Sequence, residues 1–116
     1  MQNNMTIREM ILIESEKLRD VSVLGPSKAS EELTKLSSLL SSLNSYIAEK
    51  HYALNIVRQS LLEKHGTAAK AKIYSEATQE WKEWNEAVQQ GKALEEMIRS
   101  VKYYLRNAEA EMKMGM

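Results

Sequence analysis

The stretch that decides the fold is residues 31–66, EELTKLSSLLSSLNSYIAEKHYALNIVRQSLLEKHG, where Leu33, Leu36, Leu40, Leu43, Ile47, Leu54, Val57 and Leu61 recur on three- and four-residue steps. Only Lys50 interrupts the row. A seam sustained for about four heptads predicts one long helix over residues 30–65 with an apolar stripe that must be covered. Ser27 or Ser30 is the expected N-cap, with Glu31 and Glu32 in the first turn, where the helix dipole favours negative charge. Gly66 stands where a left-handed C-terminal cap is needed, and Thr67 can cap the helix that follows. The turn is therefore tight, and the next helix is expected to return antiparallel.

That next helix is predicted over residues 67–114. Ala77, Trp84, Gly91, Ile98, Leu105 and Met112 lie seven apart, interleaved with Glu80, Ala87, Leu94, Val101 and Ala108. Trp81, Val88, Met97 and Tyr104 widen the stripe. Ser75-Glu76-Ala77-Thr78 also has the composition of a helix start, so a break near Ser75 is the alternative to a continuous helix. At 1.5 Å per residue the two long helices span ~50 and ~70 Å, which leaves the longer one an excess that must pack on something. The first helix or a second copy of the chain can supply that cover, and the width of the seam favours self-association.

The first helix is predicted over residues 6–20. Thr6-Ile7-Arg8-Glu9 has the form of a capping box, and Ile7, Met10, Ile11, Glu14 and Leu18 follow on one face. Residues 21–29 are expected to be a linker, because Val21, Val23 and Leu24 lead into Gly25-Pro26. The expectation is thus an all-α chain: a short N-terminal helix plus a long antiparallel, coiled-coil-like helical hairpin, oligomeric through the seam of Trp84, Gly91, Leu94, Ile98, Val101, Leu105 and Met112.

Composition agrees. With 116 residues the chain has room for one domain, and one proline, four glycines and no phenylalanine argue against a sheet-rich fold. The absence of cysteine excludes disulfides, thiolate catalysis and Cys-ligated zinc or iron–sulfur sites. Sixteen basic residues balance sixteen acidic ones, so the chain is no polycation built to coat nucleic acid. No run approaches the roughly 18 apolar residues of a membrane span, and the N-terminus lacks the pattern of a secretory signal. A cytoplasmic location without membrane contact is expected.

Catalytic chemistry finds little support. Neither GxGxxG nor GxxxxGK[ST] occurs. His51 and His65 are fourteen residues apart, ~21 Å along a helix, and neither completes a Glu-x-x-His pair. The chain is expected to be no enzyme and to need no metal or cofactor.

The charge pattern is more informative. Lys92, Arg99, Arg106 and Lys113 repeat every seven residues, which places them in one row ~10 Å apart with Lys102 alongside. A second basic group, Lys64, His65, Lys70 and Lys72, surrounds the Gly66 turn. Both can meet phosphates; the alternative is a solvated face in which Glu95 pairs with Arg99 and Glu109 with Lys113. Trp84 fits the seam and should be buried, whereas Trp81 and Tyr103, with Glu83 and Glu86, are candidates for a protein partner. Lys50 and Glu80 interrupt the two seams; they are either a buried ion pair or, the favoured reading, charges extended into water.

The run Thr67-Ala68-Ala69-Lys70-Ala71-Lys72, then Glu80-Trp81-Lys82-Glu83-Trp84, then Ile98 through Arg106 and Glu109-Ala110-Glu111-Met112 resembles small helical accessory proteins of tailed phages. The similarity covers roughly Ser45 to Met112. In architecture the chain is similar to the helical recombination mediators of large tailed phages, most of all over Ile98 to Arg106. That resemblance implies a non-enzymatic, oligomeric scaffold of DNA recombination or replication, a homo-oligomer whose partners are single-stranded DNA or a recombination protein. Two alternatives stay open: a phage protein that binds and inhibits a host or defence protein, and a structural coiled-coil component of an assembly.

Overall fold

A computed structural model describes residues 6–17 and 24–115. The described residues are all-α, with four helices in order: α1, Ile7–Lys17; α2, Gly25–His65; α3, Ala68–Ser75; and α4, Gln79–Met114. The described residues fall into two compact units. The first contains α1, α2 up to Ser41 and α4 from Lys92 onwards; the second, residues 42–91, holds the rest of α2, α3 and the start of α4.

Local signals account for most of the boundaries. The Glu9 amide donates to Thr6 Oγ1 at 3.1 Å, so Thr6 caps α1 as its sequence suggests. The expected end of that helix, residues 18–20, and the linker positions 21–23 lie outside the described residues. From Gly25 onward the chain is already helical, so the expected linker to residue 29 and the caps at Ser27 or Ser30 are corrected. Gly25 has a positive φ of 78°, and Pro26 sits in the first turn, where its preset φ suits the helix and its missing N–H costs no hydrogen bond. Glu31 and Glu32 consequently fall beyond the first turn.

Gly66 adopts φ 83° and its amide donates to the Leu62 carbonyl at 2.8 Å, a left-handed cap that only glycine enters without strain. Thr67 Oγ1 then accepts from the Lys70 amide and starts α3. The long third helix is broken after Ser75. There the Ser75 hydroxyl donates to the Lys72 carbonyl at 2.7 Å and the Thr78 hydroxyl to the Ser75 carbonyl at 2.6 Å, while Thr78 Oγ1 accepts from the Trp81 amide. Side-chain hydroxyls that compete with the backbone ladder, followed by a threonine cap, end one helix and begin another.

In the first unit Ile11, Ala29, Leu36, Leu94 and Val101 are buried. The same core takes in an acidic residue, Glu32, beside Glu14 of α1. Oε2 of each carboxyl is buried with no hydrogen-bond partner, and each carboxyl acts on the other's charge. Lys17 stands 3.3 Å from Glu14 and 3.9 Å from Glu32, and Lys35 lies 3.5 Å from Glu32. Burial and the neighbouring Glu14 push the Glu32 carboxyl above its ordinary range. Burial acts the same way on Glu14, but the Glu32 hydrogen bond and the Lys17 ammonium outweigh it and hold that carboxyl low.

The second unit buries Leu43, Leu54, Ala71 and Ala87. Its contacts join α2 to the chain after the turn: Lys50 meets Glu83 at 2.8 Å, His51 stacks on Trp84, Arg58 bonds Ser75 and His65 stacks on Tyr74. Gly91, which the periodicity places in the seam, is buried, yet a methyl group there would meet Ile47 Cδ1 at 3.4 Å and Leu43 Cδ2 at 3.8 Å, ordinary contact distances.

Two outcomes follow. Gly91→Ala should stabilise the protein by up to about 1 kcal/mol in chemical denaturation, because the helix gains propensity without a clash; a loss of stability would show that the α2 contact requires glycine. Glu32 has a raised folded-state pKa, so its contribution is present below the ordinary carboxylate value and is lost as pH rises through the raised one. Glu32→Gln should therefore raise the melting temperature at neutral pH and have a shrinking effect in acid, and a flat difference across the titration would refute the raised Glu32 carboxyl.

Candidate functional site

The candidate nucleic-acid residues divide between the two units. Lys64, Lys70 and Lys72 belong to the second, around the Gly66 turn, and all three are exposed. Lys64 closes α2, while Lys70 and Lys72 lie on the short α3. His65 is half-buried beside them, and its ring stacks on Tyr74 with centroids 4.2 Å apart, which helps to dock α3 on α2. Arg58, which sequence reasoning missed, lies half-buried nearby, and its Nε donates to Ser75 Oγ at 3.1 Å. Nothing in the local pattern around Arg58 marks it, because its partner is seventeen residues away.

Lys92, Arg99, Lys102, Arg106 and Lys113 form the exposed cations of α4 in the first unit. Leu94 and Val101, on the same helix, are fully buried, so the periodicity that fills the core also turns this row outward. Two of the five are engaged within their own helix. Lys113 pairs with Glu109 at 3.3 Å, as its spacing suggests, whereas Arg99 pairs with Glu96 and not with the expected Glu95. Among the described residues Lys92, Lys102 and Arg106 have no ion-pair partner.

The seam residues are not equivalent. Gly91, Leu94 and Val101 are buried within the folded chain, Trp84, Ile98 and Leu105 are half-buried, and Met112 is 69% exposed. Trp84, expected in the core, instead lies at its edge, stacked against His51 with ring centroids 5.7 Å apart. The long indole meets an imidazole from α2 there, and neither ring needs to leave water completely.

The residues assigned to a protein partner are also redistributed. Tyr103 is 65% exposed and Glu86 is exposed, but Trp81 is half-buried. Glu83 is corrected from a free surface acid to the partner of Lys50, with Gln79 as a second donor. The Lys50 ammonium holds Glu83 below the ordinary carboxylate range, and Glu83 in turn holds Lys50 high. Lys50 also lies over the Tyr46 ring, 5.2 Å from its centroid. The residue that interrupts the α2 seam is therefore an ion-pair partner across the helices, not a charge extended into water. Glu80 is half-buried, with Oε2 lacking a partner, and does not pair with Lys50.

Among the described residues no three His, Cys, Asp or Glu side chains converge to hold a metal ion. No described helix is long and apolar enough to cross a membrane. Comparison with known proteins finds no matching family model, no similar curated protein and no similar solved structure.

Proposed function

We propose that the chain is a non-enzymatic accessory protein of phage type that acts in the host cytoplasm in DNA recombination or replication. In this reading α2 and α4 form an antiparallel hairpin, copies of the chain self-associate, and the cations of α4 lie along single-stranded DNA. The observation that carries it is the exposed row on α4, in which Lys92, Lys102 and Arg106 lack a carboxylate partner among the described residues. Cations left unpaired on a chain of zero net charge are available to displace counterions from phosphates. Self-association is supported by apolar side chains left outside the core, with Met112 in the first unit and Tyr52 and Ile56, one turn apart, in the second.

A second reading, a phage protein that occupies a host or defence protein, is favoured by one feature, the exposed Tyr103. A complex that survives nuclease and is lost in Tyr103→Ala would favour it over DNA binding.

Fluorescence anisotropy of a labelled single-stranded oligonucleotide tests the first reading. Three phosphate contacts predict a slope of log affinity against log salt of about −2. Lys102→Glu combined with Arg106→Glu breaks no ion pair in the folded chain, so helicity should persist while affinity at low salt falls by about tenfold or more. Unchanged affinity in that variant would sink the reading.

A further inference from the structure

Arg58 and Lys72 line an open cleft of about 360 Å³ between α2 and α3, within the second unit. Asn55 and Gln59 add amide groups from α2, and Leu62 and Ala71 supply apolar wall. Among the described residues no carboxylate lines it. Arg58 is half-buried at this cleft, where a charge drawn partly out of water gains from a negative partner. Among the described residues Arg58 has no acidic partner; its Nε is held by a hydroxyl.

That hydroxyl orients the guanidinium. Ser75 is fully buried, and its Oγ donates to the Lys72 carbonyl at 2.7 Å while accepting from Arg58 Nε at 3.1 Å. With Nε engaged, the N–H groups of Nη1 and Nη2 remain as a fork whose direction is set from behind. Such a fork matches two oxygens of one phosphate, and the neighbouring ammonium supplies a second positive charge.

We propose that this cleft binds the phosphate monoester of a nucleotide, either free or at the end of a DNA strand. Two cations with no lining carboxylate match a dianion, and a space of this volume takes a ligand of nucleotide size. The phosphate sits on Arg58 and Lys72, and the rest of the nucleotide lies along the apolar wall beside the two amides. The site shares Lys72 with the turn cations but contains no residue of α4, so it stands independently of the phosphate row there.

Isothermal titration calorimetry of the whole chain with dAMP, and with adenosine as the control lacking phosphate, tests the site. The expected result is dAMP binding without adenosine binding, weakened about tenfold in Lys72→Gln and at least as much in Arg58→Gln. Ser75→Ala should weaken it too, by releasing the guanidinium, and circular dichroism checks that each variant remains helical. Lys72 is exposed on the surface, so its variant decides the outcome even if Arg58→Gln fails to fold. Lys102→Glu with Arg106→Glu should leave dAMP binding intact, which separates this site from the α4 row. A 5′-phosphorylated oligothymidylate that binds more tightly than its 5′-hydroxyl form, with the gain abolished in Lys72→Gln, identifies a strand end as the source. A response to dAMP alone identifies free nucleotide. Equal binding of adenosine, no binding of either phosphate probe at millimolar concentration, or dAMP binding unchanged in Lys72→Gln would overturn the proposal.

Discussion

Burial of the leucine rows is the constraint from which the rest of the structure follows. Isolated helices gain little from backbone hydrogen bonds in water, so α2 and α4 depend on covering their apolar stripes. Leu36, Leu43, Leu54, Leu94 and Val101 are removed from solvent completely. Each contributes on the order of 1.5–3 kcal/mol relative to an exposed side chain. Because one face of each helix is committed to this burial, polar side chains are driven to the other. The basic row of α4 is a consequence of that partition as much as a feature in its own right.

The polar groups admitted into or beside the core have a different effect. Lys50 with Glu83, Glu14 with Glu32, and Arg58 with Ser75 each join positions that are far apart in sequence. Leucine against leucine tolerates a shift of register, whereas a charged or hydrogen-bonded pair loses its partner when one helix slides. Such contacts therefore make a unique arrangement out of a pattern that would otherwise permit several. Ser75 serves twice: its hydroxyl ends α3 by bonding the Lys72 carbonyl, and it holds the Arg58 guanidinium.

This double use links fold to function. The break after Ser75 separates α3 from α4 and lets the short helix stand against the end of α2, where a cleft forms with two cations on its walls. The cations of α4 require no such device, since exposure on a helix face already leaves them available.

Much of the fold was legible from residue pattern. The all-α class, the cap at Thr6, the left-handed turn at Gly66 and the start at Thr67 are local properties, decided within a few residues by hydrogen-bonding capacity and allowed φ. The alternating steps of the leucine row likewise declare α2 without reference to anything outside it. What pattern could not decide was pairing. Glu83 resembles any surface acid until Lys50 faces it, Trp84 resembles a core residue until His51 meets its ring at the edge, and Arg58 carries no mark until Ser75 closes on it from seventeen positions away. Sequence alone determined the helical class and which face of each long helix is apolar, because those depend on neighbours along the chain; it placed a linker where α2 already begins and left the break after Ser75 open. Only the tertiary structure decided which polar groups are spent on one another and which remain for a ligand, because that depends on side chains the chain brings together after it turns.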